Sequence, residues 1–393
     1  MDGFRTFRVP AVVAGTAADE ALGRELVRAW RRDGVFQVAA DPAQEARTQS
    51  ALAAARRFFE LPGAEKAGLV SADSYAGYIA SGEELTAGEA DASEIFTITP
   101  DLPPGHPRVR RGWPAHGPVP WPGTGFRRAM EAYLGGVGRL GDRLLRLVAL
   151  GLGLGPGGAA GFGQLTRDGW HHMRVLRFPP GPAGSGRRGI GSHTDYGLLV
   201  IAAQDEVGGL FVRPPVPGEA RPRNWREDES SAGLWEDEPG WRYVAPVPGV
   251  LTVFPGDMLQ FLTRGALLST PHRVRLADRE RFTLAYFHEP AFDAVVRPLG
   301  AGPGCEAIHY GAHFTRMFMR CYPERVTTRR ILAENRLARL PGGSGGVCGG
   351  EGAGGVRGGG GTGAVPRAGA GGPAVGPPAP GETGPPSVVS ARR

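Results

Sequence analysis

The sequence predicts a mainly β fold with helices: a double-stranded β-helix, or jelly roll, flanked by N- and C-terminal helices. Three observations predict it. After Asp168 the apolar period falls from three or four residues to two, and several short alternating runs are separated by Gly/Pro turns. Before that point, and again after about residue 308, apolar residues recur at helical spacing. Within the alternating part, His193-x-Asp195 places an imidazole and a carboxylate on one side of a strand end, because strand side chains alternate faces.

Taken in order, Thr16-Ala-Ala-Asp19 opens a helix with capping-box spacing. Leu22, Leu26 and Trp30 give that helix an apolar face, and Gly34 can end it. Val35–Val38 reads as a short strand, and a second helix runs from about Glu45 to Phe59, before Pro62. Residues 73–98 read mostly as turn and loop, and 100–125 as an irregular Pro/Gly-rich connection. Met130, Tyr133, Leu134, Val137, Leu140, Leu144 and Val148 mark a long helix. Strands are expected at Met173–Phe178, Leu198–Ala203, Gly209–Val212, Trp241–Val244, Val250–Phe254, Met258–Phe261, His272–Leu276 and Phe282–Phe287. Helical patterns return at about Ile308–Met319 and Arg325–Arg339.

The last 53 residues are of another kind. From Pro341 to Arg393 there are 20 Gly and 8 Pro and no Phe, Trp, Tyr, Leu or Ile. Such a segment cannot bury enough apolar surface to offset its ordering entropy, so a disordered tail is expected. The expected organisation is a helical and loop region over 1–165, a jelly-roll core over 166–300, C-terminal helices over 301–340 and the tail over 341–393.

Net charge is +6, carried by scattered Arg residues and not by a basic run with interleaved aromatics. That argues against nucleic acid as a partner and suggests that some Arg residues hold small acidic molecules. Three Cys without a C-x-x-C pair argue against a disulfide framework. The N-terminus lacks a basic segment followed by an apolar core, and no run of 18 apolar residues occurs. A cytoplasmic, soluble monomer with no membrane span is expected.

A third ligand completes the metal-binding pattern. His272 heads a strand 77 residues after Asp195, and a jelly roll can bring that strand beside the first. Two His and one carboxylate form the facial triad that leaves open positions on Fe(II). Arg281, nine residues on, can present a two-pronged donor to a carboxylate. A small dicarboxylate could then chelate the metal at one end and meet Arg281 at the other. Competing pairs are weaker. His309 and His313 share a helix face, but no Glu base stands between them, so packing or capping is favoured. His171 and His172 would point to opposite sides of a strand and read as structural groups.

These residues resemble those of the Fe(II)- and 2-oxoglutarate-dependent oxygenases. Phe58-Phe-Glu-Leu-Pro62 with Lys66 is similar to the isopenicillin N synthase-like branch. Longer words resemble the bacterial ethylene-forming group within it: Gly77–Gly88, Gly112-Trp-Pro with His116–Pro122, Thr166–Pro180, His193–Gln204, Ser269–His272 and Met317–Pro323. The resemblance spans roughly residues 4–340. It implies Fe(II) on His193, Asp195 and His272, and 2-oxoglutarate chelating that metal with its far carboxylate on Arg281 and Phe287 beside it. It also implies L-arginine as co-substrate, held by residues matching Glu84, Thr86, Arg174, Tyr196 and Arg320. Two reactions are implied on one iron. In one, 2-oxoglutarate and O2 give succinate and CO2 while L-arginine is hydroxylated and collapses to guanidine and pyrroline-5-carboxylate. In the other, 2-oxoglutarate itself breaks down to ethylene and CO2 with arginine bound but not consumed.

An apolar pocket with Val200, Ala202, Leu210 and Phe287 as candidates could favour ethylene; equally, these are ordinary strand core. Thr283 departs from the small apolar residue found in the family, and the loop Gly181–Arg188 is Gly/Arg-rich. The alternatives are a plain 2-oxoglutarate-dependent amino-acid hydroxylase and a metal-free jelly-roll binding protein. Glu83 is expected to be solvated, unlike Glu84.

Overall fold

The structure is a computed structural model that describes residues 3–182, 187–302 and 304–341. Apart from Pro341, the tail expected over 341–393 lies outside the described residues, and so does 183–186 of the Gly181–Arg188 loop. The described residues fall within one unit, Met1–Cys348.

Two sheets make the jelly roll. The larger has eight strands, in the order Thr6–Phe7, Phe36–Ala39, Val250–Pro255, Leu199–Gln204, Arg281–His288, His172–Phe178, Glu94–Ile98 and Gly77–Ile79. The smaller has four: Arg242–Tyr243, Leu210–Val212, His272–Arg275 and Arg188–His193. Register fixes what the large sheet presents. Arg281 stands opposite Phe178, Thr283 opposite Leu176, Ala285 opposite Arg174 and Phe287 opposite His172. On the other side, Thr283 meets Gln204 and Phe287 meets Val200. Directly opposed residues share a face, so Arg281, Thr283, Phe287, Arg174, His172 and Gln204 all stand on one face of the sheet.

Helices cover the outer side. Ala17–Asp33 begins at Thr16, whose hydroxyl accepts from the Asp19 N–H while the Asp19 carboxylate accepts from the Thr16 N–H. Gly34 ends it in the left-handed region. Pro42–Phe59 starts ahead of the expected Glu45 because Asp41 caps the Gln44 N–H at 2.7 Å. The long helix Thr124–Gly151 packs on the first one where Gly23 and Gly151 meet; a Cβ at Gly23 would sit 2.1 Å from the Leu147 carbonyl oxygen. No helix among the described residues is long and apolar enough to cross a membrane.

One sequence expectation is corrected and another extended. Met258–Phe261 is not a strand but part of a helix, Asp257–Leu262, whose six residues are all buried. A short run buried on every side carries no period, so alternation could not separate helix from strand. Its first amides donate to the turn after His193: Asp257 N–H to the Asp195 carbonyl at 2.8 Å and Met258 N–H to the Gly197 carbonyl at 2.9 Å. Residues 73–98 are turn and loop for a little over half their length, as expected, but they also carry strands that the expectation lacked. They supply the edge strand Gly77–Ile79, its inner neighbour Glu94–Ile98, and a hairpin of two-residue strands, Leu85–Thr86 with Glu89–Ala90.

Candidate active site

His193 is the last residue of its strand and pairs directly with His272, the first of the neighbouring strand. Asp195 lies just past the strand end, in the turn. His193 Nε2 is 3.8 Å from Asp195 Oδ1, and His272 Nε2 is 3.4 Å from Asp195 Oδ2. The three ligand atoms lie within 4.8 Å of one another. The other ring nitrogens face backbone carbonyls: His193 Nδ1 lies 2.8 Å from the Gly191 oxygen and His272 Nδ1 3.1 Å from that of Thr270. A proton on Nδ1 satisfies those carbonyls and leaves each Nε2 lone pair facing the cluster. Burial pushes both imidazoles down to about 4, so they are neutral near pH 7. Asp195 Oδ2 is buried and accepts no hydrogen bond from the protein. Two neutral imidazoles and an unpartnered buried carboxylate oxygen fit a divalent cation.

A cavity of about 250 Å³ opens beside the cluster. His193 and Asp195 line it, with Glu84, Thr86, Arg174, Tyr196, Phe287 and Arg320 among its walls. Those six are sequence candidates drawn from five separate segments. Arg174 donates from Nη2 to Glu84 Oε1 at 2.6 Å and to the Tyr322 hydroxyl at 2.8 Å. Burial works against the Glu84 carboxylate, yet the Arg174 charge outweighs it and holds the pKa below the ordinary value. Glu84 Oε2 and Arg174 Nε remain buried without partners: one acceptor and one donor in the same cavity. Thr86 is committed already, its hydroxyl donating to Asp91 Oδ2 at 2.5 Å. Arg320 is exposed at the rim and donates to the Glu227 carbonyl at 3.0 Å. Tyr196 lines the cavity because the strand has ended at His193, and its hydroxyl lies 2.9 Å from Cys321 Sγ. Phe287 is stacked on His172 at 4.4 Å. Val200, Ala202 and Leu210 are buried in the sheets.

Arg281 is 1 % exposed. One of its nitrogens donates to Gln204 Oε1 at 3.1 Å, while Nε and Nη1 have no acceptor. The Thr283 hydroxyl on the same face is likewise unpartnered. Burial pushes the guanidinium down to about 10. Its charge lies 4.7 Å over the Phe178 ring, and among the described residues it is not part of the cavity wall. A buried cation with two free donors suits an anion.

The comparisons agree with this geometry. A model for the N-terminal region of non-haem dioxygenases in morphine synthesis matches residues 9–124, and one for the 2OG-Fe(II) oxygenase superfamily matches 170–290. A 2-oxoglutarate-dependent ethylene/succinate-forming enzyme of Ralstonia nicotianae is 57% identical over 341 residues, covering 87% of this chain and 98% of the relative. The chain belongs to the 2OG-Fe(II) oxygenase superfamily. A homoarginine-6-hydroxylase of Glycine max is 31% identical, covering 70% of this chain and 80% of its own. In fold, this oxygenase is similar to a full-length Neurospora crassa protein solved in complex with alpha-KG and thymine, at TM-score 0.65, 20% identity and coverage of 81% and 97%. A 2OG-Fe(II) oxygenase family protein of Caulobacter crescentus superposes at TM-score 0.63 with 23% identity, covering 81% and 99%. The protein is a 2-oxoglutarate-dependent dioxygenase with Fe(II) as its metal.

Several residues of the oxygenase's site escaped the sequence reading. Tyr322, which donates to Glu84 Oε1 at 2.7 Å, sits in the word Met317–Pro323 but was not singled out. Glu289 lines the cavity, and burial pushes its carboxyl up to about 8. Asn224 comes from a loop with no regular period and donates to Thr194, Ser231 and Asp257, bracing the turn that carries Asp195. Glu83 is the more exposed of the pair, its side chain 31% exposed against 6% for Glu84, but it is also paired. Its carboxylate accepts from Arg325 at 2.6 Å, and that Arg side chain is 2% exposed. The helical pair behaves as expected: His309 caps the helix Tyr310–Cys321 by accepting from Ala312 N–H, and His313 packs inside.

Proposed function

We propose that this oxygenase converts 2-oxoglutarate and O2 to ethylene and CO2, and in a parallel reaction hydroxylates L-arginine with formation of succinate, guanidine and pyrroline-5-carboxylate. The observation that carries the reading is the 57% identity over 98% of an enzyme named for both products. The cavity supports it. Its free Glu84 oxygen suits a guanidinium, and Arg174 and Arg320 offer charge for an α-carboxylate. A second relative named for homoarginine points to the same guanidino chemistry.

The residues divide the work. His193, Asp195 and His272 hold the metal, which supplies the O2 activation and redox equivalents. Arg281 binds the far carboxylate of 2-oxoglutarate and so fixes which end faces the metal. Glu84 orients the guanidino group, Tyr322 and Arg174 hold Glu84 in place, and Phe287 and His172 form a flat apolar wall that excludes water. The enzyme acts as a cytoplasmic monomer on small molecules.

Headspace gas analysis decides between the branches. Protein with Fe(II), 2-oxoglutarate, O2 and L-arginine should release ethylene, and guanidine and succinate should accumulate in the same mixture. Succinate and guanidine without ethylene would favour a 2-oxoglutarate-dependent amino-acid hydroxylase, the reading that Thr283 and the homoarginine relative support.

A further inference from the structure

The hairpin bearing Glu84 and Thr86 is tied to the metal strand through one carboxylate. Asp91 follows the second hairpin strand and is 1% exposed. Its Oδ2 accepts from the Thr86 hydroxyl at 2.5 Å. Its Oδ1 accepts from the Gly191 N–H at 3.1 Å and from Arg188 Nε–H at 3.0 Å. The Gly191 carbonyl lies 2.8 Å from His193 Nδ1, the nitrogen opposite the metal-facing one. Arg188 also donates to the Thr86 carbonyl at 2.6 Å, and the Asp91 N–H donates to the Glu84 carbonyl at 3.0 Å. A continuous chain of hydrogen bonds therefore runs from the guanidinium pocket to a metal ligand.

We propose that Asp91 is a positioning residue that transmits guanidinium binding at Glu84 and Thr86 to the metal ligand His193. Arg188 pairs with the Asp91 charge, while Glu84 opposes it. Asp91 and Glu84 are like charges in a buried setting, and burial and the Glu84 charge together push the Asp91 carboxyl up to about 6. A guanidinium that neutralises Glu84 relieves that repulsion. Asp91 then carries its charge at lower cost, and its bonds to Thr86 and Gly191 strengthen, because hydrogen bonds to a charged acceptor are the stronger ones. Binding at one site and geometry at the other are thereby linked, and the linkage is reciprocal. The inference rests on the guanidino-amino-acid reading of the cavity.

The test uses the full chain, loaded without O2 with Fe(II) and 2-oxoglutarate, whose charge-transfer absorption is followed during an L-arginine titration and, separately, an L-homoarginine titration. The wild-type spectrum should shift on addition of the amino acid. Asp91→Asn should raise the arginine midpoint, read for every variant by isothermal calorimetry beside the spectrum, about tenfold or more, in line with loss of a charged hydrogen-bond partner. At saturating arginine it should show no spectral shift, while its 2-oxoglutarate midpoint and melting temperature stay near wild type. Thr86→Val, which removes only the pocket end of the chain, should also abolish the shift. The double variant should lose no more than the worse single one, because both cut the same path. A wild-type midpoint and shift in Asp91→Asn would overturn the proposal. So would a parallel fall in arginine binding, 2-oxoglutarate binding and melting temperature, the mark of a plain strut. If the wild type answers neither amino acid, the guanidino reading itself falls and takes the coupling with it.

Discussion

Two arginines, Arg281 buried and Arg174 nearly so, stand on neighbouring strands of the large sheet, on the same face, and they are in opposite electrostatic states. Arg174 is compensated. Burial disfavours its charge, but Glu84 outweighs burial and holds the pKa above the usual arginine value. Arg281 is uncompensated: burial dominates, and the pKa falls to about 10. The difference separates two kinds of binding site. Around Arg174 the protein supplies its own counter-ion, so the pocket suits a ligand carrying both a cation and an anion, as an amino acid with a guanidino group does. Around Arg281 the charge waits for an anion from outside, as a dicarboxylate supplies. Holding the Arg281 charge without one costs roughly 3 kcal/mol at about 1.36 kcal/mol per pH unit.

The largest expected effect lies between the two arginines, at the metal. His193→Ala or His272→Ala leaves two protein ligands, and both product branches should fall by about a thousandfold or more. Neither substitution touches Arg174 or Arg281, so L-arginine and 2-oxoglutarate should still raise the melting temperature. Turnover near wild type at limiting Fe(II) would sink the triad.

The next effect tests the compensated side. Glu84→Ala removes the guanidinium acceptor and strands Arg174 as a buried cation. Breaking a buried pair costs roughly 3–5 kcal/mol, or on the order of a hundred- to several-thousandfold in affinity. Arginine binding should fall by that factor, ethylene and guanidine should vanish together, and the melting temperature should drop. The ligand-free uncompensated side should respond with the opposite sign. Arg281→Met removes a charge whose burial cost outweighs the attraction of Asp205, so the apo protein should gain about 1–3 kcal/mol. Its affinity for 2-oxoglutarate should meanwhile fall about a hundredfold. Calorimetry on both variants measures the two signs side by side, and a stability loss in Arg281→Met would erase the distinction. Arg281→Lys keeps charge but not the fork, and should cost about tenfold in the 2-oxoglutarate midpoint.

How much of this the sequence disclosed depended on how far apart the partners lie. The metal triad was legible because strand alternation and two strand-end positions are local facts, and the pairing of His193 with His272 follows once both strands join one sheet. Arg281 was legible from its place in the next strand. The Glu84 hairpin was not legible from pattern, since strands of two residues have no period to read; it emerged only from multi-residue resemblance. Asp91 and Tyr322 were missed because their roles arise from contacts across 100 and 238 residues of chain. The ion pair of Glu83 is hidden for the same reason: its partner Arg325 is 242 residues away. The helix at Asp257–Leu262 was misread because burial on all sides removes the period that distinguishes helix from strand.

The smallest expected effect is a pH dependence that only the uncompensated arginine should show. In the folded apo protein burial pushes the Arg281 guanidinium down to about 10, against 12.5 for the ordinary group. Its folded pKa is lowered, so the folded state binds fewer protons than the unfolded chain between those values. The stability penalty is therefore full below about pH 10 and is relieved as pH rises toward 12.5. Affinity for 2-oxoglutarate must move the other way, because the anion needs the charged guanidinium. As pH rises past about 10 the charged fraction of Arg281 falls, so the 2-oxoglutarate midpoint should rise from its value at about pH 8. Arg174, held above the usual value by Glu84, stays charged throughout this range. The 2-oxoglutarate-induced rise in melting temperature, followed from about pH 7.5 to about 10.5, measures this. Arg281→Lys should lose the response at lower pH, because a buried ammonium gives up its proton more readily than a guanidinium. An identical profile for wild type and Arg281→Lys would mean that another group sets the pH dependence, and that Arg281 is not the cation the far carboxylate meets.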